Sequence, residues 1–309
     1  MADIYRAARS SRTVADTTRQ HTASKDALMY THTIDYFIAV AEKKTALLRH
    51  QPLAFLAGSI AGGAYVGLGI ALIFSIGDTL PVSVQKLVMG LTFGLALILV
   101  VIAGAELFTG YTLYMMLGVL SGRSRWRDLV STWVACWLGN LLGAVLVASL
   151  FAIGGANGLL ANPQSLLYHV ADIKMNGSVS ALLAKGLLCN WLVCLALWMS
   201  GRVDSDVAKS VVIFWCLLAF IASGYEHSVA NMTLLSLAVI GRHADPATCV
   251  AAFYNLVMVT FGNILGGAVM VGGLYWLGDA RHSSAQVAHA DAATARAGQV
   301  YPQTKESLR

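Results

Sequence analysis

Long apolar segments separated by short polar ones fill the chain from about residue 51 to residue 278. A helix that crosses a bilayer core of about 30 Å needs about 20 residues. Four segments have the length of one crossing each: 53–76, 126–154, 179–201 and 247–277. Two further segments, which flank Glu106 and Glu226, are too long for one transmembrane helix and rather short for two. We therefore predict an all-α integral membrane protein.

Both of these segments are interrupted by a Gly-x-Glu motif, which ends at Glu106 in the first and at Glu226 in the second. An isolated carboxylate at mid-bilayer costs at least about 2.5 kcal/mol, so it usually faces the protein interior or a water path. A second matched pair follows, Gly-Asn-Leu-Leu-Gly at 139–143 and Gly-Asn-Ile-Leu-Gly at 262–266. The matched order and similar offset indicate an internal repeat.

Each interrupted segment is either a hairpin, which gives eight crossings in all, or one broken helix, which gives six. Lys and Arg accumulate in cytoplasmic loops. Six crossings with both termini cytoplasmic place 17 of the 21 Lys and Arg on that side, against 14 for the hairpins. We therefore predict six transmembrane helices with the second and fifth broken. Three crossings in each half orient the halves oppositely, as in the inverted 3+3 repeats of transporters.

The flanking segments have a different composition. Residues 1–26 are rich in Arg, Ser and Thr and are predicted to be disordered, and residues 279–309 are predicted to form a flexible cytoplasmic tail. Apolar residues recur at helical spacing in 27–50, opposite Lys and Arg, which predicts an amphipathic helix on the cytoplasmic membrane surface. The six-span transport domain would then cover 51–278.

Composition excludes several other classes of protein. Hydrophobic residues make up 57% of the chain, charged residues 12%, and the mean hydropathy is +0.66. The net charge of +5 comes from loops and termini, so we expect no nucleic-acid partner. No cleavable signal peptide is evident. The five cysteines form no C-x-x-C pair, and metal-ligand, P-loop and nucleophile motifs are absent, so we predict no metal, no cofactor and no enzyme activity.

Helices that break inside a membrane leave backbone groups unpaired, which is tolerated only inside protein or along a cavity. The breaks would direct two helix N-termini, with their partial positive charge, at the membrane midplane, and this geometry favours an anion. Because free carboxylates would repel an anion, we interpret Glu106 and Glu226 as residues that accept hydrogen bonds from loop amides and so brace the loops.

His227 follows the second glutamate and is the one histidine inside an apolar segment. A lone buried histidine is often only a packing residue. This one adjoins a break whose counterpart carries Thr109, and an imidazole exchanges a proton near neutral pH, which suits a weak-acid substrate. We therefore interpret His227 as functional.

Other polar residues in the spans have two readings each. Lys185 would either draw anions into an outer vestibule or extend to the lipid headgroups. Interhelical hydrogen bonding is the default role for Asn190 and Asn263. By pattern alone, four apolar residues next to the breaks are indistinguishable from packing residues: Phe93, Leu97, Leu107 and Phe220.

Four segments resemble signature segments of the formate/nitrite transporter family. They are Ala-Gly-Ala-Glu-Leu-Phe-Thr-Gly at 103–110, Asn-Trp-Leu-Val-Cys-Leu-Ala at 190–196, Ser-Gly-Tyr-Glu-His-Ser-Val-Ala-Asn-Met at 223–232 and Ala-Gly-Gly-Ala-Tyr-Val-Gly-Leu-Gly at 61–69. The resemblance covers roughly residues 28–278 and is greatest to the nitrite-transporting branch. It implies a homopentamer of aquaporin-like protomers, each with its own pore, in a bacterial inner membrane.

The resemblance also implies roles for single residues. Thr109 and His227 would face each other at a central transport site between two apolar constrictions. Phe93, Leu97 and Leu107 would form the cytoplasmic constriction, and Phe220 would contribute to the outer one. An outer funnel would contain Lys174, Lys185 and Asn190, and loop bracing would involve Glu106, Glu226, Asn231 and Asn263.

The function predicted from these observations is proton-linked transport of nitrite, with protons and membrane lipid as further partners. Formate or hydrosulfide is an alternative substrate within the same family. An aquaporin-like facilitator of neutral solutes is the alternative from another class, and it leaves His227 without a role. A membrane-embedded enzyme would need paired histidines or a nucleophile–base set, and neither is present.

Overall fold

The computed structural model describes residues 30–279 of the chain. The predicted disordered segment 1–26 lies outside this range, as does nearly all of the predicted tail 279–309. Within the described range every regular element is helical, and five helices are long and apolar enough to cross a membrane. Residues 36–274 form one compact unit.

Ten helices lie in the described range. Helix α1 covers residues 30–50. The others are α2 (Pro52–Gly77), α3 (Val82–Ile102), α4 (Phe108–Leu120), α5 (Trp126–Ile153), α6 (Leu166–Met175), α7 (Val179–Ser200), α8 (Asp206–Ala222), α9 (Ser228–Gly241) and α10 (Pro246–Leu277).

Both predicted interruptions are present as short loops between helices. Residues 103–107 separate α3 from α4, and residues 223–227 separate α8 from α9. Gly104 and Gly224 have φ of +78° and +69°. Side chains other than glycine rarely adopt this conformation. The glycine of each Gly-x-Glu motif is therefore required by the backbone turn that ends the first half-helix.

The Gly-Asn motifs lie where helices cross closely. A Cβ atom at Gly143 of α5 would overlap the carbonyl oxygen of Ile60 in α2, and one at Gly266 of α10 would overlap that of Leu187 in α7. Such close approach is typical of helix pairs in membranes. The two motifs therefore hold α2 against α5 and α7 against α10.

Helix α1 has the amphipathic pattern expected for 27–50. Phe37, Ile38 and Ala41 are buried, whereas Lys43 and Arg49 are exposed. The ring of Phe37 stacks on Tyr114 of α4, with centroids 5.3 Å apart. The position of helix α1 at the membrane surface stays a prediction.

Two features were not anticipated from the sequence. Helix α6 lies in the segment between α5 and α7, where a loop was expected, and it buries one face through Leu167, Ala171 and Met175. Helix α10 becomes π-helical over Leu265–Gly273. Neither leaves a strong sequence signal, because α6 has only ten residues and the π-helical segment has the composition of an ordinary apolar helix.

Candidate functional site

The two broken helices bring Thr109 and His227 together, 118 positions apart in sequence. Thr109 lies in the first turn of α4, and His227 is the N-cap of α9. The Thr109 Oγ1 and His227 Nε2 atoms are 3.1 Å apart, and both residues are buried. Each break therefore contributes one polar side chain to a single central pair.

The hydrogen bonds of His227 indicate which nitrogen carries the proton. The Ala230 N–H donates to Nδ1 at 3.1 Å, so Nδ1 is an acceptor. A neutral imidazole then carries its proton on Nε2, which donates to the Thr109 hydroxyl. The hydroxyl proton of Thr109 remains available for another acceptor.

Each glutamate is held by a lysine and one further donor. Lys44 of α1 lies 2.7 Å from both carboxylate oxygens of Glu106, and the Tyr111 hydroxyl donates to Oε2 at 2.9 Å. At Glu226, Oε2 accepts from Lys174 at 2.7 Å and from Asn231 at 2.6 Å. The carboxylates are engaged by side chains rather than by the loop amides that the sequence suggested.

The Gly-Asn asparagines make matching sets of bonds. Asn140 Nδ2 donates to the carbonyls of Ser59 and Glu106 at 2.7 and 2.8 Å, and its Oδ1 accepts from the Phe108 N–H at 2.9 Å. Asn263 makes the equivalent bonds with Gly186, Glu226 and Ser228, at 2.8, 2.9 and 2.8 Å. One asparagine therefore forms hydrogen bonds to each break. Asn263 was predicted to brace a loop, whereas Asn140 was noted only as part of a repeat.

Asn190 lies beneath the Thr109 loop. It is fully buried and donates to the Thr109 carbonyl at 3.3 Å, to Thr112 Oγ1 at 2.9 Å and to the Asn263 carbonyl at 2.6 Å. It is not among the residues that line the cavity near Lys174. The geometry matches its default role as an interhelical hydrogen-bond donor, and the outer-funnel role implied by the resemblance stays a prediction.

Two cavities approach the central pair. The α1 cavity, of about 440 Å³, is lined by Lys43 and Lys44 of α1 and by Glu106, Leu97 and Leu107. The α6 cavity, of about 150 Å³, is lined by residues that include Lys86, Lys174, Phe220, His227 and Ala230. Of the central pair, His227 therefore lies on the wall of the α6 cavity.

Aromatic rings occupy the level next to His227. The Phe220 ring stacks on the His227 imidazole with centroids 5.9 Å apart, and the Phe93 ring meets Phe220 edge-on at 5.7 Å. The resemblance grouped Phe93 with Leu97 and Leu107. In the structure the Phe93 ring contacts Phe220 of α8, whereas Leu97 and Leu107 line the α1 cavity.

The lysines are distributed differently from the sequence-based expectation. Lys174 is on the wall of the α6 cavity, but its charge is paired with Glu226. Lys185 is not on that wall; its carbonyl accepts a hydrogen bond from the Glu226 N–H at 3.3 Å. Lys86 of α3 is on the wall, and among the described residues its ammonium has no ion-pair or hydrogen-bond partner. No pattern in the sequence distinguishes Lys86 from the topology-determining lysines.

Comparison with known proteins decides the family. A sequence model described as formate/nitrite transporter matches residues 31–277. The chain belongs to the formate/nitrite transporter family. The nitrite transporter NirC of Salmonella typhimurium is 50% identical over 248 residues, which cover 80% of this chain and 91% of NirC. Family membership confirms the prediction of a membrane transport protein.

Solved structures agree with this family assignment. A structure titled FNT family ion channel matches with a TM-score of 0.78 and 49% identity, and covers 80% of this chain and 99% of that one. A pentameric formate channel with formate bound matches with a TM-score of 0.59 and 29% identity, over 73% and 96% of the two chains. The predicted helical channel architecture is therefore confirmed.

In this formate/nitrite transporter, Gly267→Ala is expected to distort the central site. A Cβ atom there would overlap Thr112 Oγ1 and lie 2.8 Å from Asn190 Nδ2. Thr112 in turn donates to the Thr109 carbonyl at 2.6 Å. We expect a loss of about 2 kcal/mol of stability, typical of overpacking, and a clear loss of transport. Thermal denaturation in detergent and flux in proteoliposomes measure the two effects.

The matched control is Gly272→Ala in the same π-helical segment, where no neighbour lies closer than 3.5 Å to an added Cβ. Adding Thr112→Ala to Gly267→Ala should recover part of the lost stability, because it removes the overlapping hydroxyl. Equal stability of the Gly267→Ala and Gly272→Ala proteins would show that the overlap is relieved elsewhere.

Proposed function

We propose that this protein transports nitrite across the bacterial inner membrane together with a proton. The observation that carries the proposal is the Thr109–His227 pair, a proton-exchanging group held 3.1 Å from a hydroxyl and flanked by apolar side chains. The similarity to NirC over most of both chains supports nitrite as the substrate. The similarity to a pentameric channel supports a homopentamer.

The apolar side chains around the central pair form a barrier to a charged substrate. Leu97 and Leu107 line the α1 cavity, whereas the Phe220 ring stacks on His227 and contacts the Phe93 ring. Moving a bare anion past such groups requires its desolvation, whereas the neutral conjugate acid passes at much lower cost. Nitrite therefore passes these apolar side chains as nitrous acid, and the proton crosses the membrane with it.

The central pair supplies a route for that proton. Nitrite takes the hydroxyl proton of Thr109, and Thr109 takes the Nε2 proton of His227. The bond from the Ala230 N–H to Nδ1 opens, and Nδ1 takes a proton from solution through the α6 cavity. The net change is one proton moved from solution to nitrite, and a tautomer shift restores the histidine. The bond from the Ala230 N–H keeps Nδ1 unprotonated until this exchange.

The proposed topology places both termini in the cytoplasm. Six crossings, with α3–α4 and α8–α9 as the broken second and fifth spans, keep the arginine-rich loop before α5 on the cytoplasmic side. The α1 cavity is then the cytoplasmic mouth and the α6 cavity the outer one. The matching bonds of Asn140 and Asn263 support two halves related by an inverted repeat.

Flux into proteoliposomes tests the proposal. Nitrite, formate and hydrosulfide are compared at a mildly acidic and at a neutral outside pH. The proposal expects nitrite to be carried fastest and its flux to rise with acidity. A formate or hydrosulfide rate well above that of nitrite would favour the alternative substrates, and pH-independent flux of neutral solutes alone would favour an aquaporin-like facilitator.

Lys86→Gln is expected to raise the half-saturating nitrite concentration about five-fold, since a single nearby charge contributes about 1 kcal/mol in water. Lys86 is exposed at the α6 cavity and its charge is unpaired, so it raises the local anion concentration. Nitrite-dependent flux is measured at low and at high salt, because high salt screens the effect.

Lys86→Arg keeps the charge and is the control. If the Lys86→Gln protein has the wild-type half-saturating nitrite concentration at low salt, Lys86 does not attract the anion. The proposed role of the central pair does not depend on this result.

A further inference from the structure

Two adjacent clefts at the start of α5 collect arginines from two different parts of the chain. One, of about 520 Å³, is lined by Arg49 of α1 together with Arg125, Arg127 and Asp128. The other, of about 440 Å³, shares Arg49, Arg125 and Asp128 and adds Glu42, His50 and Arg123. These clefts share no lining residue with the α1 and α6 cavities.

The clefts retain an excess of positive charge. Arg49 is paired with Asp128, and Arg123 with Glu42 at 2.9 Å. Arg125 and Arg127 are exposed, and no ion pair of either with a described residue exists. Four guanidinium groups therefore face two carboxylates. Arginine is well suited to a phosphate group, because its planar fork donates two parallel hydrogen bonds.

An apolar groove begins on the next turns of α5. It has a volume of about 360 Å³, and its wall between α5 and α10 includes Val130, Val134, Leu138 and Phe261. These four side chains are about half exposed. Val134 and Leu138 follow Arg127 by seven and eleven residues, so all three share one helix face. With a rise of about 1.5 Å per residue, Val134 lies about 10 Å along the axis from Arg127.

A positively charged cleft followed by an apolar groove on one helix face is complementary to the two parts of a phospholipid, its phosphate headgroup and its acyl chains. Trp126, between the two unpaired arginines in sequence, is 60% exposed, as is typical of residues at the membrane–water boundary. We propose that this face of α5 binds one anionic phospholipid, with its phosphate between Arg125 and Arg127 and an acyl chain in the groove.

The proposed lipid connects α1 to the start of α5. Arg49 on the shared wall belongs to α1, the helix whose Lys44 holds Glu106 at the first break. An occupied site adds a contact that keeps α1 in place. This role does not depend on which anion is transported.

The test is lipid binding to the delipidated, assembled protein in detergent, followed by native mass spectrometry. Phosphatidylglycerol, phosphatidylcholine and inorganic phosphate are the probes. The Arg125→Gln/Arg127→Gln protein should bind phosphatidylglycerol about 25-fold more weakly, from about five-fold for each arginine near an anionic group. Arg242→Gln, which removes a charge near α6, should bind like the wild type.

A second variant tests the groove. Val134→Trp fills it and should weaken phosphatidylglycerol binding, whereas Leu150→Trp, at an exposed position of α5 outside the groove, should not. Unchanged phosphatidylglycerol binding in the double arginine variant overturns the proposal. Equal affinity for phosphatidylcholine, or displacement of lipid by equimolar inorganic phosphate, also overturns it. A changed number of subunits in Val134→Trp would identify the groove as a contact between copies of the chain instead.

Discussion

His227→Asn is expected to lower nitrite flux about 100-fold at acidic outside pH and to abolish its rise with acidity. A positioned acid–base group typically contributes between about 10² and 10⁴ in rate, and an asparagine amide cannot accept and release a proton in the same way. The amide can still pair with the Thr109 hydroxyl, whose Oγ1 lies 3.1 Å from the imidazole, so the packing of the site is largely kept.

Flux is measured in proteoliposomes with a pH-sensitive dye inside, so that nitrite and proton entry are followed together. His169→Asn is the matched control, because His169 is exposed on α6. A His227→Asn protein that assembles normally and keeps the wild-type pH dependence would contradict the proton route, and nitrite transport itself would stand.

Local signals in the sequence were sufficient to predict the two breaks. A Gly-x-Glu motif is unusual in an apolar segment, so both breaks could be recognised without any knowledge of distant contacts. The positive φ of Gly104 and Gly224 became visible only in the structure. The count of Lys and Arg on each side of the membrane favoured broken helices over hairpins, and this count also requires no knowledge of distant contacts. The approach of Thr109 to His227 was not visible in periodicity and was expected only from the family resemblance.

Contacts between distant segments could not be predicted in this way. Lys44 holds Glu106 from a helix that was assigned to the membrane surface, and Phe93 meets Phe220 across two helices. Both pairings depend on how helices rotate and cross, and many side-chain patterns are compatible with each crossing. Lys86 was missed for the same reason, since an exposed lysine near a helix start has no distinct pattern.

Asn140→Leu is expected to destabilise the folded protein by about 4 kcal/mol. It removes the partner of two buried carbonyls, Ser59 and Glu106, and of the Phe108 N–H, and each buried group left unpaired costs about 1–3 kcal/mol. Leucine has the same branching and the same number of heavy atoms as asparagine, so the substitution leaves no cavity and the effect comes mainly from the lost hydrogen bonds. Thermal denaturation of the detergent-solubilised protein, followed by size-exclusion chromatography, measures it.

Asn263→Leu should cost a similar amount, because Asn263 makes the equivalent three bonds at the second break. Asn176→Leu is the control, since the single bond of Asn176 to the Asp172 carbonyl is exposed. A large loss from only one of the two buried asparagines would mean that the breaks differ in stability despite matching bonds. Equal losses would mean that each half of the chain needs its own asparagine to hold Thr109 and His227 in register.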